Sequence, residues 1–226
     1  MEEDRFERGV AALHVLHDPV RRGLYRYVAT QSHEVGRDEA AVAVGVHREL
    51  AAFHLDKLVA AGLLEVAAVR RVSGRSGPGA GRPAKLYRRG AAEHEVSVPE
   101  RTYEVAARLL AEAVEEAGAE LALHAAARRL GARRGATERD EAAAAPMTTA
   151  EVAEVLRRRG YEPYRDGAAL RLGNCPFRSV AREFPAVVCG MNLALPEGLL
   201  DGVAAEWLSA VMDPGPGRCC VAFISK

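Results

Sequence analysis

The sequence predicts an α+β protein in three parts. Residues 1–92 read as a run of helices closed by a β-hairpin. Residues 99–130 read as helix alone. Residues 147–226 read as a small α+β domain. Three observations support this division. Helix-forming apolar patterns fill most of the first 130 residues. A basic, Gly-rich stretch at 70–89 lies between strand-like runs. All four cysteines (Cys175, Cys189, Cys219, Cys220) fall in the last 52 of 226 residues. With 49% hydrophobic and 27% charged residues, the chain is globular and wholesale disorder is excluded. No apolar run approaches the roughly 18–20 residues of a membrane span. The acidic start Met1-Glu2-Glu3-Asp4 has no apolar segment behind it, so no secretory signal is expected. The expectation is a cytoplasmic protein with reduced thiols and no membrane partner.

In order along the chain, Phe6 to Leu16 reads as a short helix. Asp18 is placed to cap, and Pro19 to open, a second helix through about Thr30. Asp38 to Val44 forms a third helix. Gly45 turns the chain into a fourth, from His47 to Ala61, which stops at Gly62. Ala51, Leu55 and Leu58 share its core face. Leu63 to Val72 and Ala84 to Arg88 read as two strands, joined by a Gly- and Ser-rich tip at 73–81. Pro99 starts a long helix to about Gly118, with Tyr103, Ala106, Leu110, Val114 and Ala117 as its apolar stripe. A further helix runs from Ala119 to Leu130. Gly131 to Pro146 reads as a mobile connection. Thr148 and Glu151 have capping-box spacing and open a helix to Arg159. Ala168 to Leu172 reads as a strand, Phe177 to Glu183 as a short helix, Met191 to Val211 as mostly helix, and Cys219 to Ile224 as a final strand.

Two helices joined by a tight turn and followed by a basic hairpin make a winged helix-turn-helix. Its second helix fits the major groove of duplex DNA, and its hairpin can follow phosphates or enter the minor groove. The formal net charge is zero, with 31 basic and 31 acidic residues. It is unevenly placed: residues 70–89 carry seven basic side chains and no acidic one. Such a stripe suggests one anionic partner meeting one face. With Ala51, Leu55 and Leu58 inward, Arg48, Ala52 and Phe53 face outward. Arg48 is placed for a guanine edge or a phosphate. Phe53 either touches a thymine methyl or packs under the wing. His47 stands where a capping Ser or Thr would be usual. His54 is expected to pack in the core. Arg75, Arg82 and Lys85 complete the DNA-facing candidates. Arg82, within Gly81-Arg82-Pro83, suits a narrow minor groove. The segment from Val46 to Leu64, with its HLDKL and AGLL portions, resembles the recognition-helix segment of ArsR/MarR-like winged-helix repressors.

The cysteine series is Asn174-Cys175-Pro176-Phe177, Val188-Cys189-Gly190-Met191-Asn192, and Cys219-Cys220-Val221. Thirteen residues separate the first pair and 29 the second, unlike the CxxC spacing of zinc ribbons. Each cysteine stands near turn formers at the edge of an expected element. That placement lets ligands from separate elements converge with backbone N–H groups free to bond sulfur. All histidines lie at or before His124, which excludes a Cys₂His₂ site built within residues 125–226. A thiolate-rich site suits an iron–sulfur cluster or zinc. Neighbours in a strand point to opposite faces, so Cys219 is the expected ligand and Cys220 an alternate or a core residue. The fourth ligand stays open among Asp, Glu, Asn, solvent and a small thiol. Four free cysteines used for packing, or a strained Cys219–Cys220 disulfide, are the plainer alternatives.

The winged helix, the GRPAKLYR return at 81–88 and the NCPF…VCGMN…CCV series together resemble the SufR-like iron–sulfur transcriptional regulators, over nearly the whole chain. The resemblance implies a homodimer with a central dimerising helix. It implies a cluster, [4Fe–4S] in type, held by the cysteines at 175, 189 and 219. It also implies repression of cluster-assembly genes from a double-stranded DNA operator. Where relatives often carry histidines this chain has Arg178 and Glu183. No Ser/His/Asp set, phosphate loop or pair of catalytic acids stands out, so the expectation is a regulator, not an enzyme. The alternative is a winged-helix regulator with structural zinc or a small-molecule effector.

Overall fold

The computed structural model describes residues 2–31, 33–70, 84–139, 146–215 and 217–226. The chain is mixed α+β with two small antiparallel sheets. It divides into two compact units, residues 1–101 and 102–226. Among the described residues no helix is long and apolar enough to cross a membrane.

The first unit runs α1 (Glu2–His17), α2 (Pro19–Thr30), β1 (Val35–Gly36), α3 (Arg37–Val44), α4 (Arg48–Ala60), β2 (Leu64–Arg70) and β3 (Ala84–Arg89). Asp18 caps α2 as its sequence implies: its Oδ1 accepts the Arg21 N–H at 2.9 Å, and Pro19 opens the helix. Gly45 ends α3 in the left-handed region, φ 72°, a conformation that a side chain would oppose. The Val46 N–H closes the turn on the Ala41 carbonyl at 3.0 Å. α4 then begins at once behind His47, which makes no side-chain cap bond. Ala51, Leu55 and Leu58 are fully buried against Leu24, Val28, Val35 and Tyr87. The sheet order is β1-β3-β2, with Val35 opposite Tyr87 and Leu64 opposite Arg89. Strand β1 has only two residues, too short for a period-2 pattern, and the sequence reading missed it. The hairpin tip lies outside the described residues.

The second unit contains α5 (Tyr103–Glu116), α6 (Glu120–Glu138), α7 (Thr149–Arg158), β4 (Pro163–Asp166), β5 (Ala169–Leu172), α8 (Arg178–Ala181), α9 (Pro185–Gly202), β6 (Leu208–Met212) and β7 (Val221–Ser225). Its sheet order is β4-β5-β7-β6, antiparallel throughout. The capping box of α7 is complete: Glu151 N–H donates to Thr148 Oγ1 and the Thr148 N–H donates to Glu151. Val152, Val155 and Leu156 of α7, Leu199 and Leu200 of α9, and Leu172 and Phe223 of the sheet form one core.

Helices α6 and α9 cross at backbone contact. A Cβ on Gly131 would collide with the Leu195 carbonyl, and one on Gly135 with the Leu199 carbonyl. One on Gly198 would collide with the Arg128 carbonyl, and one on Gly202 with the Ala132 carbonyl. Two small-xxx-small stripes face each other. This corrects the sequence reading twice. Gly131 and Gly135 do not break the chain into a connection; they lie in α6, which continues to Glu138. The helix expected from Met191 instead starts at Pro185 and ends at Gly202, and the remainder includes strand β6.

Helix propensity alone makes Gly198→Ala stabilising by about 1 kcal/mol. The crossing reverses that sign: a net loss of about 2 kcal/mol or more is expected in urea denaturation, because carbonyl backbone cannot yield as a side chain does. A stabilised Gly198→Ala protein would refute the close crossing.

Candidate metal centre

The four cysteines arrive from three segments of the second unit. Cys175 follows β5 in a bend. Its carbonyl accepts the Arg178 N–H at 3.1 Å, and the Phe177 N–H bonds its sulfur. Asn174 fixes this bend by donating to the Gly160 carbonyl at 2.7 Å. Cys189 is not at an element edge, as its Cys-Gly context suggests, but inside the first half of α9. Within that helix position 190 calls for glycine, because the His124 ring of α6 occupies the place of a Cβ. Cys219 and Cys220 precede β7. The Cys219 N–H donates to the Leu172 carbonyl at 2.8 Å, and the Cys220 carbonyl accepts the Asp213 N–H at 2.7 Å.

Asn192 joins these segments. It is fully buried on α9, three residues after Cys189. Its Nδ2 donates to Cys219 Sγ at 3.1 Å and lies 3.9 Å from both Cys175 Sγ and Cys220 Sγ. Its Oδ1 accepts the Tyr161 hydroxyl at 2.7 Å, so both ends of the amide are used. Pro196, four residues on within α9, has no N–H to give the Asn192 carbonyl. Sequence reasoning quoted Asn192 within the VCGMN motif but gave it no role. The signal available was a polar residue in a helix otherwise as apolar as α9.

The sulfurs also bond one another, Cys189 to Cys220, Cys220 to Cys219, and Cys219 to Cys175. Cys175 accepts at the end of this chain. That bond, helped by the Phe177 N–H, holds its thiol below the ordinary range against the opposing effect of burial. The bond to Cys175 pushes Cys219 up to about 11. Burial, then the bond to Cys220, pushes Cys189 up to about 12. Its bond to Cys219 raises Cys220 as well. Burial and the neighbouring sulfurs raise Tyr161. Of the four thiols, Cys175 is the one whose ionisation is favoured; ionising the others calls for a cation.

All four cysteines are free thiols, so the vicinal disulfide is absent. Among the described residues no three His, Cys, Asp or Glu side chains already stand in metal-holding geometry. The donors that could hold a soft metal are Cys175, Cys189, Cys219 and Cys220. The expectation that Cys220 turns away from Cys219 is corrected. The pair lies in the bend before β7, outside the strand alternation, and both sulfurs reach Asn192. The cysteine-bearing unit reaches further back than residue 125: it begins at Thr102 and includes His124, whose buried Nε2 has no hydrogen-bond partner among the described residues and packs on Gly190, beside Cys189.

α8 and α9, which follow Cys175 and carry Cys189, pack against α5. An open apolar cavity of about 280 Å³ lies between them, lined by Leu110, Val114, Phe177, Val188 and Met191 among others. Glu183 pairs with Arg108 of α5, which also pairs with Glu104 at 2.9 Å. Val105, Leu109 and Leu110 of α5 are more than half exposed.

In the first unit, the candidate nucleic-acid contacts are largely exposed. Phe53 is 56% exposed, and Lys57 Nζ lies 5.6 Å from its ring centre. His54 is buried, as expected. Arg48 pairs with Asp38 at 2.7 Å, Lys85 with Asp56 at 2.7 Å, and Arg88 with Glu65 at 2.5 Å. The absence of acidic residues within 70–89 therefore does not leave these charges unopposed. Arg75 and Arg82 lie outside the described residues.

The Tyr161–Asn192 bond is buried, and removing one partner strands the other. Tyr161→Phe should cost about 1–3 kcal/mol. A double-mutant cycle with Asn192→Ala should show coupling of about 1 kcal/mol in chemical denaturation. Additive losses would mean that the two groups do not support each other. No protein family, curated protein or solved structure matches the chain.

Proposed function

We propose that the protein is a DNA-binding transcriptional regulator: a dimeric repressor whose operator binding depends on an iron–sulfur cluster held by Cys175, Cys189 and Cys219. The observation that carries this reading is the convergence of three cysteine sulfurs, Cys175 from the loop after β5 and Cys219 and Cys220 from the bend before β7, on one buried amide, Asn192, of the helix that also carries Cys189. Packing alone does not call for that. Free buried cysteines behave as small apolar groups, and nothing in such a role needs an N–H donor aimed at sulfur. N–H···S bonds are what a thiolate-bound cluster uses to tune its potential. The cluster would supply an oxidant- and iron-sensitive link between these sulfurs.

The order of elements in the first unit supports the DNA-binding half. α3, the Gly45 turn and α4 serve as a helix-turn-helix, and β2 with β3 as its wing. Arg48 and Phe53 stand on the outer face of α4, where a recognition helix meets base edges. The ion pairs of Arg48 and Lys85 are exposed, and such pairs are worth about 0–1 kcal/mol, so phosphate can replace the carboxylates. The exposed apolar face of α5 serves as the dimer contact. Because α5 also packs on α8 and α9, freeing Cys175 and Cys189 would loosen the wall behind that face. This is a local coordination change biasing a two-state element. The chain's own residues bind and position; no catalytic step is assigned to them.

Selection of duplexes from a random pool, followed by anisotropy titration at about 0.15 M salt, tests the reading. Cluster-loaded and cluster-free protein should differ by tenfold or more in affinity for the selected duplex. Arg48→Ala should weaken binding by about 1–3 kcal/mol. Failure to enrich any duplex would refute the regulator. Equal affinity in both states would refute the gating. One zinc per chain and no sulfide would replace the cluster with a structural metal.

A further inference from the structure

We propose that Cys220 is the fourth sulfur ligand, so that Cys175, Cys189, Cys219 and Cys220 form a four-cysteine site clamped by the vicinal pair. The proposal rests on the reading that these cysteines hold a metal or cluster. It goes further in naming the ligand that the three-cysteine pattern leaves open.

Adjacent residues in a strand point to opposite faces, which would send Cys220 away from Cys219. Strand β7 begins only at Val221, however. The preceding bend is held from both sides. The Cys219 N–H is fixed to the Leu172 carbonyl at the end of β5, and the Cys220 carbonyl to the Asp213 N–H just after β6. These two anchors let both side chains turn to the same side. Asn192 Nδ2 then lies as far from Cys220 Sγ as from Cys175 Sγ, 3.9 Å in each case.

The remaining sulfur, that of Cys189, comes from the same helix as the amide, three residues before Asn192. Four thiolates also complete the coordination of a tetrahedral soft metal, or one sulfur per iron of a four-iron cluster, with no position left for solvent.

Cobalt(II) is the direct probe, because its thiolate-to-metal absorption scales with the number of sulfurs bound and does not require a cluster to assemble. Reduced full-length protein should take up one cobalt with the spectrum of a tetrahedral four-thiolate site. Cys220→Ala should lose about a quarter of that absorption and bind cobalt about tenfold more weakly or worse. Cys220→Ser, which keeps the volume, should show the same loss of sulfur absorption. Circular dichroism of the metal-free proteins checks that both variants fold. Iron and sulfide content after anaerobic reconstitution is measured alongside. Wild-type cobalt spectrum and affinity in both variants would overturn the assignment of Cys220. A wild-type protein with no thiolate-to-cobalt absorption would overturn it together with the metal reading. Four-thiolate cobalt binding without uptake of iron and sulfide would sink the cluster alone and support Cys220 as a ligand.

Discussion

The backbone-to-backbone crossing of α6 and α9 is the constraint on which the cysteine-bearing unit depends. Ordinary helix pairs stand about 8–10 Å apart because side chains separate them. Gly131 and Gly135 on one helix, and Gly198 and Gly202 on the other, remove that spacer. The gain is dispersion contact between main chains; the cost is four positions of poor helix propensity. The crossing fixes how α9 is turned about its axis. With α9 so placed, Leu199 and Leu200 enter the core, and Asn192 meets the loops after β5 and before β7. Farther along the same contact, the His124 ring fills the notch at Gly190 and holds the turn that carries Cys189.

Asn192 shows how polar groups are kept inside such a unit. A buried amide without partners costs several kcal/mol in an apolar interior. Here Tyr161 supplies a donor to its oxygen, and the sulfurs take its N–H groups. Cys175, Cys219 and Cys220 share that one amide nitrogen, so Tyr161, Asn192 and these three sulfurs form one connected network. Such a network orients its members before any ligand arrives, which lowers the cost of ordering them on binding. Arg48, Lys85 and Arg88 of the first unit follow a looser rule. Each stands in an exposed ion pair that an anion can displace at little cost.

Features that depend on a few neighbouring residues are legible in the sequence. Asp18 with Pro19, Gly45 after α3, and Thr148 with Glu151 each signal a helix end through a local bond or backbone conformation. The inward face of α4 follows from spacing, and its Ala51, Leu55 and Leu58 are fully buried. Features that depend on a distant partner are not legible. Gly131, Gly135 and Gly190 look like breaks because their partners in the other helix are some 60 residues away. Strands β1 and β4 owe their existence to β3 and β5 more than to their own pattern. The same holds within the cysteine site. The series itself points to a thiolate site, whereas the turning of Cys220 depends on Leu172 and Asp213, and the role of Asn192 on Tyr161. The pairing of Arg48 with Asp38 crosses the turn between α3 and α4 and leaves no trace in a count of charges.

The central claim is that these sulfurs hold an iron–sulfur cluster. Its most direct test is the visible absorption spectrum of the protein purified without oxygen, read together with iron and acid-labile sulfide content. The account predicts a brown protein with about four irons and four sulfides per chain. A colourless protein that takes up neither iron nor sulfide on reconstitution would contradict it.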